Sequence, residues 1–508
     1  VAVSTSKSVW QDTATTTAFS PLTRPVTVDV AIAGGGITGL TAALLLKRAG
    51  LSVAVVEALT IAGGVTAYTT AHISEVPDVG YKTLRSTFGE SDARLAADAR
   101  RAAIERIAQF VSEAQIDCQF ERVTGYLYAE SDDDSMLESE AQAARGLGVD
   151  ATFSTAVPLP FPVRAGVVFP NQAQFNAVSY LQALASLVDG DGSYVFERSR
   201  VLDVTGSSPY QITTEQGTVT ARNVILATHT PIHDIANMQD LYLLTTKLTP
   251  YRSYVVAAQL RSPVPTGQFW DTMEPYHYTR NYTNAQQNWL IVGGEDHKTG
   301  EDVDALERYQ RLEDYVRQRY EVESIDYRWS AQWYEPIDGL PFIGKSLAHD
   351  HLYVATGFSG NGISFGTIAG MLLSDQILGR ENPWGKLYDP GRIKPLASAQ
   401  QFVSQNLQVA AHFVGDRFQT DVETLDEIPR GEGRRIKLEN EQLAVYRDDV
   451  GELHAVSAVC THAGCIVNWN NAEKSWDCPC HGGRFSCTGN VLNGPPMNPL
   501  DAKTVDRP

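Results

Sequence analysis

The spacing of apolar positions changes several times along the chain, and each change marks an element. Val26–Ala33 (VTVDVAIA) is a short β-branched run that ends directly in three glycines. From Gly39 to Gly50 the apolar residues Leu40, Ala43, Leu44 and Leu46 fall at helical spacing, and Gly50 is a natural C-terminal stop. Leu51–Glu57 (LSVAVVE) reads as a second buried strand, so this stretch is a βαβ unit opening an α/β domain. Residues 91–117 are expected to be helical, with Ile104, Ile107 and Val111 in phase, and residues 131–147 to form an acidic, Ala-rich surface helix. Short strands follow from about 195 to 230 and end in Asn223–Thr228 (NVILAT). Residues 251–260 and 288–294 alternate like strands of an antiparallel sheet, and 301–320 is a charged amphipathic helix. A glycine-rich turn and helix span Thr356–Gly379. Turn signals at Asn382-Pro383 and Asp389-Pro390-Gly391, then a helix, suit a linker over 381–411. Beyond it, Ala444–Arg447 and His454–Val459 are short strands between turns, as in a small all-β domain.

The chain has 508 residues, enough for two to four domains, with 43% hydrophobic and 20% charged residues, the profile of a globular protein. Its 41 Lys and Arg against 60 Asp and Glu give a net charge of −19, which argues against a nucleic-acid partner. Residues 412–508 hold 10 basic and 15 acidic side chains, so the acidity is shared by both parts of the molecule. The Ser/Thr-rich stretch Val1–Pro25 lacks an apolar signal region, and no apolar run is long enough for a membrane span, so a cytoplasmic location is expected. The chain starts with Val rather than Met, which leaves room for residues upstream. Five of six cysteines (Cys460, Cys465, Cys478, Cys480 and Cys487) fall within the last fifty residues, while Cys118 stands alone. That clustering indicates a metal or redox site rather than a spread disulfide scaffold.

Gly34-Gly-Gly36-Ile37-Thr38-Gly39 satisfies G-x-G-x-x-G between a strand and a helix, and Glu57 follows at the end of the next strand. Gly34 serves the tight turn, Gly36 lets the backbone approach a pyrophosphate, and Gly39 lets helix pack on strand. The helix N-terminus offers N–H groups to phosphate. Glu57 can accept hydrogen bonds from ribose hydroxyls and would repel a 2′-phosphate. FAD and NAD both suit this unit.

Near the C-terminus, Cys460-Thr-His462 and Cys478-Pro-Cys480-His481 form two mixed Cys–His pairs separated by fifteen residues. Two thiolates on one iron and two imidazoles on the other is the ligand set of a Rieske [2Fe–2S] centre. Zinc is the competing reading of the same donors, but zinc fingers pair Cys with Cys and His with His.

Further motifs resemble a known family. Gly63-Gly64-Val-Thr66, the strand end Ala227-Thr228, Trp333–Gly344 and Thr356-Gly357-Phe-Ser-Gly360-Asn361-Gly362 occur in the order seen in FAD-dependent amine and D-amino-acid oxidases. The resemblance covers about residues 26–380 and implies FAD, with Gly34, Gly36, Ile37, Thr38, Gly39, Glu57, Gly64, Thr66, Val201, Thr228, Gly357, Gly360, Asn361 and Gly362 holding it. It implies an α/β Rossmann-like FAD-binding domain built from 26–90, 150–240 and 331–380. An α+β substrate domain would come from 91–149 and 241–330, between an N-terminal extension (1–25) and the linker (381–411). Residues 412–508 would form the all-β Rieske domain. There the sequence resembles high-potential Rieske proteins, which implies a disulfide between Cys465 and Cys480 and a cluster-covering loop at Gly494-Pro-Pro496. It departs from them at Gly483 and Phe485, where hydroxyl donors to the cluster are expected, and this implies a lower potential. Cys487 is left as a small buried residue.

The resemblance implies oxidation of a small amine or amino acid by hydride transfer to FAD. One-electron relay through the cluster would then reach an external acceptor, such as a basic cytochrome or ferredoxin-like protein. Reverse flow onto an unsaturated substrate, and a non-catalytic electron carrier, are the competing readings. In this family the substrate lies between flavin and sheet, which points to strands near 251–260, 276–282 and 288–294. Alternation puts Tyr278 and Arg280 on one face, with Arg280 a candidate clamp for a substrate carboxylate. His297, in a polar turn at 293–298, is a candidate base, and His72 a candidate for tuning the flavin. Tyr251 and Arg252 are further pocket candidates.

Overall fold

The computed structural model describes residues 7–130, 135–231, 243–284, 287–301, 304–392, 417 and 419–505. A predominantly parallel sheet orders the strands Phe342–Lys345, Leu352–Thr356, Thr218–Leu226, Val26–Ala33, Val53–Val56 and Tyr194–Phe196. Val30, Ile32, Val53 and Val55 are fully buried in it, which is why these strands read as apolar runs. The helices Ile37–Arg48 and Gly362–Ile377 cross closely over the sheet. A Cβ on Gly366 or Gly370 would stand 2.4 Å from Ile37 Cγ2 or 2.6 Å from Thr41. Two glycines one helical turn apart thus bring both helices together.

A nine-stranded mixed sheet forms the second layer, with Leu248–Leu260 paired between Val322–Pro336 and Asn288–Lys298, and His277–Thr283 beyond. Residues 293–298, expected as a turn, continue the Asn288–Lys298 strand, because Tyr251 and Arg252 pair with Lys298 and His297. The helix expected over 91–117 runs from Tyr81 to Ala114 and breaks at Gly89 (φ 80°). Tyr81, Leu84 and Phe88 already fall at i, i+3 and i+7 and are buried, so the helical period starts before the glycine that interrupts it. The helix expected over 131–147 is described over Ser135–Gly146, and it is not merely a surface element. Glu140 is buried and accepts from the backbone N–H groups of Tyr81 and Lys82, closing the open end of the long helix. The helix Ala305–Arg319 is capped by Asp304. The helix expected within the linker lies outside the described residues.

The N-terminal segment is woven into the body. Ser8 caps the short helix Val9–Thr13, and Trp10, fully buried, donates to Thr69 O at 2.6 Å. Residues 432–503 build two four-stranded antiparallel sheets, Glu432–Leu438 to Leu453–Ser457 with Ala502–Lys503, and Asn468–Asn470 to Val491–Asn493. Among the described residues no helix is long and apolar enough to cross a membrane.

Candidate active site and redox centres

A long cavity runs from the first glycine turn to the second sheet. At one end Gly34 (φ 109°) sits where a Cβ would meet Ala227 O at 2.4 Å, and a Cβ on Gly39 would meet Gly34 O at 2.0 Å. Both positions therefore admit only glycine. Gly36 is the N-cap of the Ile37–Arg48 helix, whose free N–H groups face the cavity. Glu57 accepts from Gly35 N (2.7 Å) and Leu59 N (2.8 Å), and each carboxylate oxygen keeps acceptor capacity for a ribose hydroxyl. Burial raises its carboxyl, and neighbouring Arg200 opposes that. Gly64, Thr66, Val201, Thr228, Gly360, Asn361 and Gly362 line the same cavity with Ile37 and Thr38. Gly39 and Gly357 do not line it. Gly39 packs helix on strand, and Gly357 (φ 76°) turns the chain against Leu248 and Pro336. The cradle fits an extended dinucleotide.

At the far end Asp78 faces the cavity and accepts from Gly360 N and Asn361 Nδ2, both at 2.8 Å. Desolvation raises its carboxyl. Trp270, Tyr276, Tyr278, Ser253 and His72 complete this wall. The Tyr278 ring lies flat over Gly293, where a Cβ would be 2.2 Å from its Cε2. The Tyr278 and Ser253 hydroxyls are 2.6 Å apart, and Ser253 donates to Asp296 at 2.5 Å. Tyr276 donates to the other Asp296 oxygen at 3.2 Å. Burial pushes the Asp296 carboxyl up to about 7, because its partners are hydroxyls rather than cations. Asp296 and Ser253 lie outside the candidates read from the sequence. Adjacent polar letters in a strand carry no signal of which pair will meet across 43 residues.

His72 also lines the cavity, with Nε2 at 3.4 Å from Thr279 O and Nδ1 at 3.0 Å from Thr70 Oγ1. Burial, then Arg280, pulls it down to about 3, so it is neutral. Arg280 itself is a correction. It is 1% exposed, its Nη1 donates to the carbonyls of Thr70, Ala71 and Phe175 and its Nε to that of Asn281, and its guanidinium lies 5.2 Å from the Trp10 ring. Ala71, whose carbonyl and that of Thr70 both meet Arg280, lies in the left-handed region (φ 59°). It anchors the stretch carrying His72 and does not reach the cavity. His297 is a second correction. It stacks on Tyr254 (5.6 Å) on the opposite face of the sheet, and burial brings it down to about 4. Tyr251 stacks on Trp333 (4.7 Å), and Arg252 also points to the opposite face.

The four expected ligands converge in the C-terminal sheets. The thiols of Cys460 and Cys478 lie side by side, both buried, and the rings of His462 and His481 are 4.8 Å apart. Two thiols and two imidazoles so grouped fit a [2Fe–2S] cluster. Cys465 and Cys480 form the disulfide that links the two loops. A Cβ on Gly483 would meet Pro496 Cδ at 2.8 Å, so the proline loop fills the place of a hydroxyl side chain there, while Phe485 is fully buried. Cys487 is only half-buried.

The two centres are neighbours. Leu492, Asn493, Gly494, Pro495, Pro496 and Met497 line the long cavity opposite the glycine turns. Gln332 Nε2 donates to Gly482 O at 2.8 Å, and the Tyr334 hydroxyl donates to His481 O at 3.4 Å.

Comparison with known proteins agrees with this geometry. The FAD dependent oxidoreductase family matches residues 29–376, and the Rieske [2Fe-2S] domain matches residues 419–504. The chain is 32% identical to the Rieske 2Fe-2S iron-sulfur protein YhfW of Bacillus subtilis (strain 168) over 98% of its length and 97% of that protein's. It is 24% identical to gamma-glutamylputrescine oxidoreductase of Escherichia coli (strain K12), over 71% of this chain and 86% of that one's length. Among solved structures, glycine oxidase from Geobacillus kaustophilus shares the fold with a TM-score of 0.59 at 21% identity, covering 72% of this chain and 99% of that one. The protein is an enzyme with FAD and a [2Fe–2S] cluster as its cofactors, and it belongs to the FAD dependent oxidoreductase family, extended by a C-terminal Rieske domain.

Proposed function

We propose that the enzyme oxidises a small organic amine and passes the electrons through the cluster to an external one-electron acceptor. FAD supplies a hydride acceptor, and the cluster supplies a one-electron exit. The observation that carries this reading is the Tyr278–Ser253–Asp296 chain beside an acidic, aromatic wall. A protonated amine is attracted by Asp78 and by the faces of Trp270, Tyr276 and Tyr278. It must lose a proton before its carbon can give up hydride. Tyr278 accepts that proton and passes its own to Ser253, which passes its proton to Asp296. A carboxyl poised near 7 is matched to this task at neutral pH. Neutral His72 keeps positive charge away from the incoming ammonium.

An amine is favoured over an amino acid for a stated reason. The Arg200 guanidinium is the cationic side chain among the described lining residues, and it lies beside Glu57 at the dinucleotide end. Arg280 does not line the cavity, and its Nη1 serves three backbone carbonyls. A substrate carboxylate would thus meet Asp78 without a compensating cation. The wide aromatic lining also speaks against a carrier with no organic substrate. The acceptor is taken to be basic, such as a cytochrome or ferredoxin-like protein, because the chain carries −19. Anaerobic mixing of the purified enzyme with a panel of amines and amino acids tests the substrate class. Amines are expected to bleach the flavin at lower concentration than amino acids of equal size, and the reverse order would overturn the assignment.

A further inference from the structure

The Rieske domain is seated on the oxidase body by contacts of three kinds. The two bodies fit closely where glycine alone leaves room. A Cβ on Gly300 would be 2.4 Å from Pro479 N, and one on Gly482 would be 2.6 Å from Pro250 Cβ and 2.7 Å from Gln332 Nε2. A buried ion network then crosses the junction. Glu473 lies 3.4 Å from Arg252 and 3.6 Å from Arg484, it accepts from Ser330 at 2.8 Å, and Arg484 also pairs with Asp477 at 2.9 Å. Asn468 donates to Gly300 O and Asn471 to Asp304. Removing one member of such a network leaves a buried charge without its partner. Finally, the proline loop forms part of the flavin cavity's own wall.

Between cavity and cluster loop the contacts are continuous. His229 lines the cavity, its Nε2 is 3.2 Å from Gln332 O, and its ring is 4.9 Å from that of Tyr334. Gln332 Nε2 donates to the Tyr334 hydroxyl at 2.6 Å, and both side chains reach the carbonyls of Gly482 and His481. We propose that the Rieske domain works in this one fixed seat, with Gln332 and Tyr334 as positioning residues that clamp the cluster loop onto the wall of the flavin cavity. The idea rests on the reading that electrons pass between the two cofactors. Each amine oxidised releases two electrons. They leave singly, each converting one ferric iron of the cluster to ferrous before the external one-electron acceptor takes it.

The test bypasses the substrate. In the holoenzyme carrying Asp304→Cys and Asn471→Cys, whose native side chains touch at 2.8 Å, the two domains are cross-linked and the flavin is photoreduced anaerobically. Cluster reduction is followed by its electron paramagnetic resonance, and reoxidation by an added basic cytochrome. A fixed seat predicts that both rates stay within about twofold of the uncross-linked enzyme, whereas a swinging domain predicts a loss of about tenfold or more. Separately, Gln332→Leu with Tyr334→Phe is expected to speed amide exchange over residues 478–483 by about tenfold, since the clamp's hydrogen bonds are lost, and to slow cluster reduction without changing the flavin spectrum. Unchanged exchange and unchanged cluster reduction would overturn the clamp. Because light replaces the amine, a wrong substrate assignment leaves these outcomes readable.

Discussion

Asp296 and Asp477 are carboxylates on either side of the strand Leu248–Leu260, yet they behave oppositely. Asp477 meets Arg484 at 2.9 Å on the Rieske side. Burial pushes it up, but Arg484 and Arg252 outweigh that and hold it below the ordinary range. Among the described residues Asp296 meets the Ser253 and Tyr276 hydroxyls on the cavity side, and burial prevails. The switch between the two environments takes one residue. Arg252 and Ser253 are consecutive in a strand, so they point to opposite faces. One face is charge-balanced and holds a domain in register. The other is left unbalanced and keeps a proton acceptor near neutral pH. Balance therefore separates scaffold from chemistry here more sharply than burial does.

Breaking the balanced side is expected to have the largest effect. Glu473→Ala leaves Arg252 without its carboxylate and should cost about 3–5 kcal/mol, read by denaturant unfolding of the Rieske domain. On the unbalanced side, Asp296→Asn should do the opposite. The folded carboxyl titrates near 7 against 3.8 for the ordinary group, so the folded protein retains a proton that the unfolded chain releases. Its contribution to stability falls as pH rises from about 4 to 7 and is constant above. The variant is expected to be more stable than the parent at pH 8 by on the order of 3 kcal/mol, with the gap closing toward pH 4, as followed by Tm. The same variant should lose the rise in kcat/KM through pH 7. Tyr278→Phe interrupts the proton chain and should lower kcat about 100-fold with intact FAD binding. Asp78→Asn should have the smallest effect, raising KM for an amine about tenfold while sparing kcat.

The cofactor sites were legible because they are built from local spacing. Gly34, Gly36 and Glu57 act within one βαβ unit, and Cys460, His462, Cys478 and His481 lie in two short loops whose residue types allow little else. The substrate wall is built differently. Tyr278 was reachable by alternation, but Arg280, two positions on, is drawn away by carbonyls of residues 70, 71 and 175. The Ser253–Asp296 contact joins residues 43 apart in the chain, and no periodicity announces it. His297 was misplaced because residues 293–298 continue a strand, which turns alternate side chains to the far face. The domain junction was also hidden, since Gly300, Gly482 and Gln332 acquire meaning only once the sheets meet.

The most direct test of electron flow is anaerobic addition of a substrate amine to the holoenzyme, with flavin absorbance and cluster paramagnetism followed together. The account predicts that the flavin is bleached first and that the reduced-cluster signal then appears without any added mediator. Full bleaching of the flavin with a cluster that stays oxidised would contradict it.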